Sequence, residues 1–167
     1  MEPPSDFKEW LALLNLHAVE YIVVGAYALA FHGAPRNTGD IAIYIRPTHE
    51  NALKILSALT DFGFGSLGIS TTDFEQPGQV VQLGTPPVRI DLLTSISGVS
   101  WDEANAGKVP AKYGDVPVHY LGLAQYTANK RAIGRAKDLA DLEAIEAYDV
   151  RALLADHRIG GHLAGAG

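Results

Sequence analysis

The run that most constrains this chain is Tyr21-Ile22-Val23-Val24-Gly25, a short apolar stretch that stops on glycine. Its β-branched residues predict a buried strand rather than a helix. Ala26-Tyr27-Ala28-Leu29-Ala30-Phe31-His32-Gly33 follows at once and reads as a short helix with Gly33 as its C-cap. The chain must therefore turn from strand to helix at Gly25, where free backbone N–H groups gather at the helix start. Glycine is common at such turns, so by itself it marks no ligand.

The second strand supplies the chemistry. In Asp40-Ile41-Ala42-Ile43-Tyr44-Ile45 the odd positions face one way, while Asp40, Ala42 and Tyr44 face the other. Asp91 sits in the apolar run Arg89-Ile90-Asp91-Leu92-Leu93, which reads as a central strand. A carboxylate there needs a partner, because burying it alone is expensive. Asp40 also has a plain reading as a turn aspartate, and Asp91 as a residue on the solvent face of an edge strand.

Other elements fall around these. Ser5 or Asp6 caps a first helix carrying Phe7, Trp10, Leu11, Leu13, Leu14 and Leu16. Pro47-Thr48 opens a helix from Glu50 to Leu59. The stretch 61–78 reads as mostly irregular. Val80–Leu83 and Val88–Leu93 predict a hairpin. Val109–Tyr113 and Val116–Tyr120 predict a smaller one, confined to edges by Pro110 and Pro117. Beyond it the pattern turns helical: Leu121–Ile133, a break at Gly134, then Lys137–Tyr148 and Val150–His157. The expected class is α/β (α+β), a mixed sheet flanked by helices with a helical C-terminal part. The 167 residues predict one domain over 1–160, with a core at about 20–120, helices at about 121–157 and a flexible tail at 161–167.

Composition removes several functions. Thirteen basic against nineteen acidic residues give a charge of −6, which excludes a generally cationic nucleic-acid coat. There is no cysteine, so disulfides, thiolate metal sites and a cysteine nucleophile are excluded. The six histidines are scattered and no His-x₃-His pair occurs, which argues against a zinc site. Ser95 and Ser97 lack a nucleophile elbow, and Gly63-Phe64-Gly65-Ser66-Leu67-Gly68 neither follows a clear strand nor opens a helix. No basic leader and no membrane-length apolar run is present in the sequence, which predicts a soluble cytoplasmic protein without a membrane partner.

The run from Tyr21 to Ile43 resembles the opening of a minimal nucleotidyltransferase domain of the DNA polymerase beta-like superfamily: a hydrophobic strand, a glycine turn, a short helix, then an aspartate strand. The run Asn129-Lys130-Arg131-Ala132-Ile133-Gly134-Arg135-Ala136-Lys137-Asp138-Leu139-Ala140-Asp141-Leu142-Glu143 resembles the closing motif of AbiEii-type and MNT-like bacterial nucleotidyltransferases. The likeness spans about residues 20–145. It implies the nucleotidyltransferase fold and Mg²⁺-dependent transfer of an NMP from an NTP (ATP or another) to an acceptor. That acceptor is a tRNA, a protein or a small molecule such as an aminoglycoside. It also implies a toxin–antitoxin or phage-defence setting with a cognate toxin or antitoxin partner.

Carried onto this chain, the resemblance makes Asp40 and Asp91 the metal ligands, because Mg²⁺ takes hard oxygen donors and two ions clamp the reacting oxygens. Gly25 and Ala26 would hold phosphate through the backbone, with Ala26 where the family carries a second small turn residue. Position 42 departs from the family: the second carboxylate of the Asp-x-(Asp or Glu) pair is Ala42 here. Losing it predicts an inactivated site, whether the alanine was introduced to disarm an enzyme or belongs to a naturally degenerate member. The competing class is a non-catalytic module that binds nucleotide or a partner without turnover.

Six more positions join the candidate site. Arg36 and Thr38, on the loop entering the aspartate strand, contact the triphosphate or the acceptor, or are surface loop residues. Lys130 and Lys137 offset phosphate charge, or belong to a solvated helix face with Arg131 and Arg135. Asp138 and Asp141 either cap a helix or orient Lys137.

Overall fold

The protein is described by a computed structural model covering residues 5–34, 39–85, 87–147 and 154. Its centre is a six-stranded sheet in the order β3-β4-β2-β1-β6-β5. The strands are β1 (Tyr21–Val24), β2 (Asp40–Ile45), β3 (Val80–Thr85), β4 (Val88–Leu93), β5 (Val109–Tyr113) and β6 (Val116–Tyr120). β2 runs antiparallel to β1 and parallel to β4, and β6 runs parallel to β1, so the sheet is mixed.

The helices form around it for local reasons. α1 (Ser5–Leu16) buries Phe7, Trp10, Leu11 and Leu14, one face at helical spacing, and packs against the helix His49–Phe62. α2 (Gly25–Phe31) starts directly on the end of β1. His32 rather than Gly33 is its C-cap, and Gly33 takes the positive φ one residue later. α3 (His49–Phe62) begins where Thr48 accepts the Asn51 N–H at 3.2 Å. It runs three residues past the expected end, into 61–78. That stretch also holds a 3-10 turn, Thr71–Phe74, with reciprocal Ser70 and Asp73 capping bonds and a buried Phe74. Short polar caps, not an apolar period, build this turn, which is why it reads as irregular in sequence.

α4 (Trp101–Gly107) was not expected. Its signal is Ser100-Trp101-Asp102-Glu103, in which Ser100 accepts the Glu103 N–H at 3.1 Å and Glu103 accepts the Ser100 N–H at 3.2 Å. Trp101 then meets Tyr44 edge-on, with ring centroids 5.2 Å apart.

Both expected hairpins form. The edge assignment for the second is half corrected. β5 is an edge, but β6 lies between β5 and β1. Pro117 is tolerated because β1 is in register with β6 only at Tyr120, away from the proline.

α5 (Leu123–Ile133) follows from Gly122 and ends at Gly134, whose φ of 69° is the left-handed C-cap that glycine adopts most readily. Residues 136–147 form a further helix, α6, burying Leu142 and Ile145 while Leu139 stays exposed. The expected helix Val150–His157, apart from Leu154, and the tail 161–167 lie outside the described residues. No helix among those residues is long and apolar enough to cross a membrane.

Candidate functional site

Strand alternation places the site. Ile41, Ile43 and Ile45 are fully buried, while Asp40 and Ala42 turn to the partly open face. In the parallel register, Asp40 stands beside Arg89 and Ala42 beside Asp91. These four positions form a square on one face of two neighbouring strands. On the other side of β2, Val24 pairs with Ala42, so the Gly25 turn rises next to the same square.

Gly25 is demanded twice over. Its φ is +67°, and a Cβ built on it would stand 3.2 Å from the Ala42 Cβ. The glycine thus leaves room above position 42.

Arg89 is the residue that sequence reasoning missed. Its Nε donates to Asp91 Oδ1 at 2.9 Å, and its Nη2 donates to Asp91 Oδ2 at 3.2 Å and to Asp40 Oδ2 at 2.8 Å. One guanidinium therefore clasps both carboxylates. The hydrogen bond from Arg89 to Asp91 is the main reason its pKa rises above the ordinary arginine value. These bonds occupy Nε and Nη2; the Nη1 amino group has no hydrogen-bond partner among the described residues. The only sequence signal was an arginine two residues before Asp91, the i and i+2 spacing that puts both on one face.

The square floors a cleft of about 490 Å³, lined by Gly25, Ala26, Asp40, Ala42, Arg89 and Asp91, with Lys130, Arg135, Lys137 and Asp141 across from them. The basic cluster is built by a clasp between α5 and α6. Asp138 is fully buried and accepts Lys130 Nζ at 3.1 Å, Arg135 Nε at 2.7 Å and the Arg135 backbone N–H at 3.2 Å. The Arg135 bonds hold the Asp138 carboxyl down at about 2, against the opposing pull of burial. Asp138 thus lies beneath the cleft as cap and clamp, and is not among the residues that line it. Lys130 also lies 3.5 Å from Asp141 Oδ2 and 5.5 Å from the centroid of the Tyr126 ring. Its charge is therefore largely spoken for. Lys137 is exposed, lines the cleft and makes no ion pair among the described residues. Arg36 and Thr38 lie outside the described residues.

A second cavity of about 260 Å³ shares Gly25, Ala42 and Lys130 with the cleft and adds Leu93, Ser95, Ser97 and Asn129. Asn129 is tied there by donating to the Ser97 carbonyl at 2.9 Å.

The residues present do not fit a two-Mg²⁺ centre. Two such ions need a set of hard carboxylate ligands. Here position 42 offers a methyl group, and a guanidinium already occupies Asp40 and Asp91. Among the described residues no group of three or more metal-ligating side chains converges.

No protein-family model matches the chain, and no curated protein matches it. Solved structures do. A candidate nucleotidyltransferase from Thermotoga maritima superposes with a TM-score of 0.55 at 19% identity, covering 93% of this chain and 96% of the other. The antibiotic-resistance factor ANT(2'')-Ia superposes with a TM-score of 0.50 at 13% identity, covering 95% of this chain and 97% of the other. At such identities the likeness speaks for architecture, and the mixed sheet flanked by helices described above is that of a nucleotidyltransferase fold.

Proposed function

We propose that this chain binds a nucleoside triphosphate in the cleft above β2 and β4 and that its transfer step is disabled at Ala42. The observation that carries the reading is the square itself. The resemblance assigns Asp40 and Asp91 as carboxylates of the nucleotidyltransferase pattern and position 42 as another, and the parallel register that sets Ala42 beside Asp91 supports that assignment. The glycine turn at Gly25 borders one side of the cleft, and the uncommitted Lys137 ammonium borders the other. The neighbouring cavity, with Ser95, Ser97 and Asn129, offers polar groups to a base, a ribose or an acceptor.

The test pairs the chain with its Ala42→Asp variant. Each is incubated with labelled NTPs, Mg²⁺ and tRNA, a protein pool or aminoglycosides. Nucleotide binding by both proteins, with label transferred by the variant alone, is the expected result. The labelled pool then names the acceptor. The fold likeness to an antibiotic-resistance factor keeps a small molecule in that panel, and the AbiEii-type resemblance keeps tRNA, protein and a toxin–antitoxin role in it. Failure of either protein to bind any NTP would sink the proposal. Binding without transfer by either favours the non-catalytic module.

A further inference from the structure

We infer that Arg89 takes the place of a divalent cation in this cleft, so that polyphosphate binds here without metal. The inference rests on the nucleotide-binding reading above and adds to it the way charge is balanced.

A carboxylate pair facing a polyphosphate repels it, and a cation must stand between them. The guanidinium of Arg89 already stands against Asp40 and Asp91, within 2.8–3.2 Å of three of their oxygens. A guanidinium cannot be deprotonated at working pH, and the bond to Asp91 raises its pKa further. It thus offers a permanent positive charge on the carboxylates. Its Nη1 group leaves two donors for a phosphate oxygen, in the planar geometry that arginine uses for phosphates.

Charge across the cleft points the same way. The lining holds Asp40, Asp91 and Asp141 against Arg89, Lys130, Arg135 and Lys137. With Asp138, which holds Lys130 and Arg135 from beneath, carboxylates and cations are at parity because position 42 is alanine. An aspartate there would stand beside Asp91, put carboxylates in excess and compete for the same guanidinium. Lys137 provides a cation with no ion pair among the described residues, on α6 and lining the same cleft as Arg89. A polyphosphate spanning the cleft meets Arg89 Nη1 at the sheet and Lys137 Nζ at α6.

Isothermal titration of the chain with ATP, and with inorganic tripolyphosphate, in EDTA and then in Mg²⁺, tests this. The expected affinities in the two conditions agree within about threefold, less than the loss of a single hydrogen bond. Arg89→Ala and Lys137→Ala are each expected to weaken binding in EDTA by about tenfold, the cost of one charge-assisted contact. Arg89→Ala takes the guanidinium away from Asp40 and Asp91, so a circular-dichroism melt accompanies it, and Lys137→Ala, at an exposed position, carries the result if the first variant misfolds. In Ala42→Asp the binding is expected to become Mg²⁺-dependent. Binding of ATP by the parent chain only when Mg²⁺ is present overturns the inference and leaves the nucleotide-binding reading standing. No binding in either condition removes both.

Discussion

At the scale of single residues, the site turns on contacts too small to register in composition. Gly25 has a left-handed φ and a neighbour, Ala42, at the distance where a new methyl group would press. Gly25→Ala pays both costs. The conformational part is about 1–2 kcal/mol, which lowers Tm by roughly 3–8 °C in a chain of this size. Thermal melts should show that fall, with weaker ATP binding because the turn moves. Pairing it with Ala42→Gly separates the causes: the double variant relieves the methyl contact and keeps the φ strain. Full recovery of Tm in the double variant would contradict the assignment of strain to φ. Asp40 and Asp91 were legible because a carboxylate in an apolar run asks for a partner. Arg89 was not, although it stood two residues from Asp91. Its role depends on the parallel register that brings it to Asp40 across 49 positions of sequence, and nothing in local spacing reveals that pairing.

At the scale of elements, α5 and α6 are joined by one buried carboxylate. Asp138 receives the Arg135 N–H in the manner of a capping residue and draws Lys130 from the preceding helix. Its folded pKa, about 2, lies below the ordinary carboxylate value of 3.8. The stabilisation it lends is therefore present in full above pH 4 and is lost as pH falls through 2. Asp138→Asn should flatten the stability profile over that acidic window. Asp138→Ala should destabilise the chain at neutral pH by about 3 kcal/mol, since it removes the shortest ion pair of the buried Lys130 and leaves it only Asp141 at 3.5 Å. Chemical denaturation at pH 7 and at pH 3 checks both, and an unchanged acid profile in Asp138→Asn would disprove the clasp.

Most elements could be read in advance because each rests on local chemistry: β-branched runs for β1 and β2, Gly134 for the end of α5, and Pro47-Thr48 for the start of α3. The exceptions are just as physical. α4 has seven residues and only Trp101 and Ala104 buried, too few to show a period, although its Ser100 and Glu103 cap was in plain sight. The placement of β6 inside the sheet depends on where β1 stops, which Pro117 alone cannot report.

At the scale of the molecule, the cleft is where two halves of the chain meet. Its floor is the middle of the sheet, anchored by the fully buried Ile41, Ile43 and Leu92. Its far wall is α5 and α6, which the Lys130–Asp138 clasp joins to each other and which bury Tyr126, Leu142 and Ile145. A ligand that touches Arg89 on the floor and Lys137 on the wall ties the less deeply anchored part to the more deeply anchored one. Linkage then sets the size of the effect. ATP at a hundred times its Kd stabilises the folded state by about 2.7 kcal/mol, which raises Tm by roughly 5–10 °C. Hydrogen exchange should slow across residues 136–147 more than in β2, because a buried strand has little protection left to gain. Tripolyphosphate should reproduce most of the rise and adenosine little of it, since the uncommitted donors are cationic. A rise produced equally by adenosine, or protection confined to the sheet, would mean that the ligand does not bridge Arg89 and Lys137, and that the two walls close by a different contact.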